Sequence, residues 1–153
     1  MCRNIEQGEE EMHFAITDDM TSDRERLKEA ILSGCAGQNI SADCSLYESG
    51  EAFLADFKPG YYDAVFLDII MPGKSGIEVA KQIRAMGHEL PLIFTTTEKD
   101  FALDGYEVHA MDYLIKPIQA DKVFWCLQQL KRYQSVPSHI EVRAVLGRGV
   151  SVP

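Results

Sequence analysis

The stretch 64–76, AVFLDIIMPGKSG, decides how this chain reads. Four apolar residues, Ala64-Val65-Phe66-Leu67, end on a single acid, Asp68. Three more apolar residues follow, and the run breaks at Pro72-Gly73. A strand with no polar alternation belongs in a parallel sheet covered on both faces. The acid at its end either meets solvent where the strand stops, or sits where chemistry reaches it. The flanking sequence decides between the two.

Outward from that strand, apolar residues alternate between two periods. Before it, HFAIT (13–17) reads as a short strand. TSDRERLKEAILSGCAG (21–37) reads as a helix with Thr21, Ser22 or Asp23 as N-cap. Its apolar Leu27, Ile31 and Leu32 fall at helical spacing, and Gly34 or Gly37 stops it. ISADCSLY (40–47) alternates as an edge strand does, and SGEAFLADF (49–57) predicts a short helix with Ala52, Phe53 and Phe57 inward. After Asp68, GIEVAKQIRAM (76–86) predicts a helix with Ile77, Ala80 and Ile83 inward. PLIFTT (91–96) is a second buried strand, KDFALDGYEV (99–108) a weak helix interrupted by glycine, and MDYLI (111–115) a fifth strand. IQADKVFWCLQQLKRY (118–133) is the last helix, with Ala120, Val123, Phe124, Leu127 and Leu130 on one stripe.

Five strand–helix units imply an α/β fold with right-handed crossovers. The expected architecture is a doubly wound, five-stranded parallel sheet of order 2-1-3-4-5, the flavodoxin-like (βα)5 arrangement. Composition agrees. The chain has 153 residues, enough for one domain and a short extension, and is 46% hydrophobic. A net charge of −9 argues against nucleic-acid binding by this chain itself. No apolar run is long enough to span a membrane, and the acidic start MCRNIEQGEEEM is no signal peptide. The four cysteines lack metal-ligand spacing, and His13, His88, His109 and His139 read as structural or surface residues. A cytoplasmic location is expected.

In such a sheet, ligands bind beyond the carboxyl ends of the strands. Those ends carry Thr17-Asp18-Asp19, Asp68, Thr95-Thr96-Thr97 and Lys116-Pro117. Each residue alone has an ordinary explanation as a turn former, strand residue or exposed lysine. Together they are harder to dismiss. Three converging carboxylates repel one another unless a cation sits among them. An all-oxygen site with few protein ligands suits Mg2+, with Lys116 and the Thr96 hydroxyl facing a phosphoryl group. A phosphate loop of the flavin type would be repelled by Asp18-Asp19, and no GxGxxG or GxxxxGK[ST] occurs.

AITDDM (15–20), VFLDIIMPGKSGIEVAKQIR (65–84) and IFTTTEKDFALDGYEVHAMDYLIKPI (93–118), in that order, resemble the receiver domain of bacterial two-component response regulators. The resemblance covers about residues 13–133. It implies that Asp68 is the phosphoacceptor, charged by a sensor histidine kinase. It makes Asp19 the direct Mg2+ ligand, Asp18 its assistant partly through water, and the backbone carbonyl of Ile70 a further ligand. Thr96 and Tyr113 become the switch pair and Lys116 the holder of phosphoryl oxygens, with Lys116-Pro117 a cis bond. Thr97 occupies a position the family usually keeps small, where it limits attacking water. Phosphorylation then alters the face made by the fourth helix, fifth strand and fifth helix. Such a domain catalyses only its own phosphorylation and dephosphorylation.

Residues 1–12 read as an acidic arm, 134–138 as a linker, and HIEVRAVLGRGVSVP (139–153) as two strands around a turn. That tail resembles the start of a LytTR-type DNA-binding domain, so DNA contact is expected only through a C-terminal effector. Trp125 lies roughly 150° from the centre of the last helix's apolar stripe. Aromatics are enriched at interaction hot spots, so a homodimer formed on phosphorylation is expected beside it. A phosphorylation-independent dimerisation module is the alternative, against which the intact set of acids and Lys116 counts. A phosphohydrolase with an aspartyl intermediate is a third reading; its D-x-D pattern does not match TDDM.

Overall fold

The computed structural model describes residues 10–135. The arm before them, the rest of the linker and the expected effector strands lie outside the described residues. The order is β1 (Glu10–Thr17), α1 (Thr21–Ala36), β2 (Ile40–Tyr47), α2 (Gly50–Ala55), β3 (Ala64–Asp68), α3 (Gly76–Ala85), β4 (Leu92–Thr96), α4 (Ala102–Glu107), β5 (Asp112–Ile115) and α5 (Ala120–Ser135). All strand pairs are parallel, in the order β2-β1-β3-β4-β5 expected from the alternation.

Alternation along each strand divides the core in two. Phe14, Ile16 and Phe66 face one side, where Leu27 and Ile31 of α1 and Val123, Leu127 and Leu130 of α5 cover them. Ala15, Val65 and Leu67 face the other, against Phe53 of α2 and Ile77, Ala80 and Ile83 of α3. Every residue of β3 and β4 is buried, as the unbroken apolar runs predicted. β2, at the edge, stays half-exposed along most of its length.

Four details differ from the sequence reading. β1 begins at Glu10, so the arm expected over 1–12 gives its last three residues to the sheet. The cause is register: Glu10, Glu11 and Met12 pair with Ile40, Ser41 and Ala42, and Met12 is fully buried. Met20, not Thr21, Ser22 or Asp23, is the N-cap of α1, and it caps without a side-chain bond. Asp18 does the local bonding instead, accepting the Met20 N–H through Oδ1 at 2.9 Å. On α5, Cys126 is buried while Ala120 and Phe124 are exposed, so the inner stripe is rotated from the one expected. That helix also continues through Gln134 and Ser135, since no breaker stands before Pro137.

Gly76 is more than a turn residue. It opens α3 behind a capping box formed by Ser75 and Glu78. Its amide donates to the Ile69 carbonyl at 3.0 Å. A Cβ built at Gly76 would collide with the Asp68 carbonyl oxygen and lie 2.9 Å from its carbon and 3.0 Å from the Ile69 α-carbon. These are backbone atoms of the central strand's end, so they cannot swing aside. Gly76→Ala should therefore lose about 2–4 kcal/mol in urea unfolding. Gly34→Ala, whose added methyl meets the flexible Leu127 tip at 2.7 Å, should lose less. Equal losses in the two variants would refute the close-approach explanation.

Candidate functional site

The ends of β1, β3, β4 and β5 form one acidic pocket. Parallel register sets the depth: Thr17 lies beside Leu67, and Asp68 beside Thr95. Asp18 follows Thr17 directly, and its amide is held by the Tyr47 carbonyl of β2 at 3.0 Å. Asp18 and Asp68 are each only 3% exposed, while Asp19 is half-exposed. One carboxylate oxygen from each of the three lies within 4.8 Å of the others.

Lys116 enters from the end of β5, next to a cis bond to Pro117. Its Nζ donates to Asp18 Oδ2 at 2.8 Å and to Asp23 Oδ2 at 2.9 Å, and stands 3.5 Å from Asp68 Oδ1. Burial works against the lysine's charge, but the bonds to Asp18 and Asp23 and the field of Asp68 outweigh it and hold its pKa above the usual value. Asp68 shifts the other way from a normal carboxylate. Burial and the neighbouring Asp18 push its pKa up to about 7, with Asp19 adding to the rise; Lys116 and the Ile70 backbone amide oppose it. The Ile70 side chain itself points away, 50% exposed, so this residue meets the pocket through its backbone.

Four carboxylates thus share the pocket with one ammonium, which contacts three of them, Asp18, Asp23 and Asp68. The pocket holds an excess of negative charge, built entirely from oxygen donors. That donor set fits a hard divalent cation that keeps part of its water, as Mg2+ does.

The expected switch pair converges on one residue. Thr96 is buried, and its Oγ1 accepts the Glu98 N–H at 3.2 Å. The Tyr113 hydroxyl donates to the Glu98 carbonyl at 2.6 Å and accepts the Phe101 N–H at 3.2 Å. Together they pin the loop between β4 and α4. Thr97 is exposed beside them. Asp18, Asp19, Asp68 and Lys116 are brought together as the strand ends predicted, and Thr96 and Tyr113 lie next door. The sequence presents Asp23 only as a possible cap. Its place in the first turn of α1, five residues after Asp18, is the signal that puts it near the pocket.

The raised pKa of Asp68 has a stability consequence. The folded state binds this proton more tightly than the unfolded chain, so the group's contribution worsens as pH rises from about 4 through 7. In chelator, Asp68→Asn should stabilise the protein by about 1–3 kcal/mol at pH 8, and the gain should fade towards pH 5. Denaturant titrations at both values check this; a gain independent of pH would contradict it.

The sequence matches the family described as response regulator receiver domain over residues 14–128. It is 32% identical over 119 residues to the transcriptional regulatory protein DltR of Streptococcus agalactiae, covering 76% of this chain and 52% of that protein. It is 36% identical over 89 residues to the sensory transduction protein LytT of Bacillus subtilis, covering 58% of this chain and 34% of that one. The chain therefore spans about half, or less, of the length of these curated relatives. Among solved structures, the response regulatory domain of MrkE from Klebsiella pneumoniae superposes with a TM-score of 0.70 at 27% identity, covering 80% of this chain and 97% of that one. The response regulator TrrA of Thermotoga maritima, solved with Mg2+-BeF, does so with a TM-score of 0.63 at 31% identity, covering 78% and 98%.

Proposed function

The chain belongs to the response regulator receiver domain family, and from that premise we propose that it is the phosphoryl-accepting switch of a two-component pathway. One observation carries the reading: Asp68, Asp18 and Asp19 meet within 4.8 Å at a rigid strand end, with Lys116 beside them. A sensor histidine kinase is the donor. An Asp68 carboxylate oxygen attacks the phosphorus of the kinase's phosphohistidine. The new P–O bond forms as the P–N bond breaks, and the imidazole leaves with the electron pair. Asp18, Asp19, Asp68 and the Ile70 carbonyl would hold Mg2+. When bound there, the ion supplies the positive charge that lets a dianionic phosphoryl group approach a carboxylate.

Asp68 must be ionised to attack. With its pKa near 7, positive charge in the pocket also sets how much of it is reactive at neutral pH. Lys116 takes the phosphoryl oxygens after transfer. The Thr96 hydroxyl then turns towards them and gives up its bond to Glu98. Tyr113, holding the same residue's carbonyl, follows. The change is read on the α4-β5-α5 face, where Leu103, Tyr106 and Ile115 are exposed. Homodimerisation on phosphorylation uses this face. Trp125 is 52% exposed and carries the Arg132 guanidinium 5.7 Å above its ring, so it presents a paired rather than a bare aromatic surface. Output on DNA belongs to a C-terminal effector domain of LytTR type. The receiver's location is cytoplasmic in this reading; no helix among the described residues is long and apolar enough to cross a membrane.

Acetyl phosphate with Mg2+ should add one phosphoryl group, seen by intact mass. Asp68→Asn or a chelator should abolish it, and unchanged labelling of Asp68→Asn would overturn the assignment. Lys116→Ala should still accept phosphate, about ten- to a hundredfold more slowly, but fail to shift the NMR signals of Tyr113. A normal Tyr113 response in that variant would count against the coupling role of Lys116.

A further inference from the structure

Lys116 is closer to α1 than to the residue it is meant to serve. Its two short bonds go to Asp18 and Asp23, at 2.8 and 2.9 Å, and Asp68 Oδ1 lies farther off at 3.5 Å. Asp18 is tied down elsewhere: its Oδ1 takes the Met20 amide, and its backbone carbonyl takes Arg24 Nη1 at 2.6 Å. Asp23 has no comparable structural duty. It sits in the first turn of α1, yet its side chain does not cap that helix. One oxygen reaches Lys116, and the other lies 4.0 Å from the exposed Arg26. The Asp23 side chain is 28% exposed, and the lysine it grips is 13% exposed.

We propose that Asp23 is a latch that holds Lys116 against α1 in the resting protein and competes with the Asp68-bound phosphoryl group for it. The inference rests on the receiver reading above and adds a positioning residue to it. The physical basis is distance: the two short bonds hold Nζ 3.5 Å from Asp68 Oδ1. An ammonium has three N–H donors, and two are committed at short range to α1 and the β1 end. For Lys116 to move fully onto a phosphoryl oxygen beside Asp68, at least one of those bonds must lengthen. Asp18 is the more buried partner and shares the pocket with Asp68, so the bond to Asp23 is the one that yields. Asp23 thereby opposes the activated state, and its strength sets how readily Lys116 is captured. Release of Asp23 also unties the first turn of α1 from the β5–α5 connection, which the Asp23–Lys116 bond otherwise spans.

Fluoroberyllate with Mg2+ serves as the phosphoryl probe, and affinity is read by calorimetry on the whole chain. Asp23→Asn keeps the shape but removes the charge, and should bind fluoroberyllate about tenfold more tightly than wild type. Asp23→Glu, which restores the charge, should fall back towards wild type. Glu25→Gln removes one negative charge from the same helical turn at an exposed position, so it measures the plain effect of net charge. A gain in Asp23→Asn well above that in Glu25→Gln supports the latch. Equal gains, or unchanged or weaker binding in Asp23→Asn, overturn it. If wild type itself binds no fluoroberyllate, the receiver reading fails first and the latch with it.

Discussion

The fold is arranged around a concentration of like charge that it must tolerate. Asp18 and Asp68 are almost wholly buried at adjacent strand ends, with Asp19 and Asp23 at the margin and one lysine between them. Burying carboxylates without full compensation costs stability. The rest of the molecule supplies the stiffness to hold them there. β3 and β4 are buried along their whole length, and both faces of the sheet are packed with aliphatic and aromatic side chains. A flexible scaffold would let the acids drift apart and relieve the repulsion. This one cannot, and the repulsion remains, leaving the cluster suited to a hard cation.

The same rigidity is visible in how the central strand ends. Asp68 is fixed from behind by Gly76, whose lack of a side chain lets α3 begin against the strand's last carbonyl. Ile69 is buried under the helix while Ile70 is exposed, so consecutive residues with the same side chain do opposite work. One anchors the loop. The other leaves its backbone at the pocket. The acid therefore stands on a strand, a loop and a helix that meet within a few residues.

Much of this was legible in the sequence because the relevant signals are local. Unbroken apolar runs marked β3 and β4, and alternation marked β2 as an edge. The parallel topology then carried Asp18, Asp19, Asp68 and Lys116 to one end with no further information. What escaped depended on partners distant in the chain. β1 starts at Glu10 because β2 offers a register for it, although two glutamates look like a solvated arm. Cys126 displaces Phe124 from the inner stripe of α5 because α1, packed alongside, sets the rotation of the helix. Asp23 looked like a cap because capping is what an acid in that position does locally. Its bond spans 93 residues of sequence and is invisible to any local rule. The meeting of Thr96 and Tyr113 on Glu98 is of the same kind.

That last meeting limits how far the loop between β4 and α4 can move. Thr96 holds the Glu98 amide and Tyr113 holds its carbonyl, one on each side of the same α-carbon. Both torsions of that residue are thereby clamped, because neither flanking peptide plane can rotate without breaking a bond. Thermal loss of one bond leaves the other in place, so the loop does not wander far before the first bond re-forms. A loop held this way is quiet. Its larger excursions wait on the joint failure of two bonds, which is rarer than the failure of either.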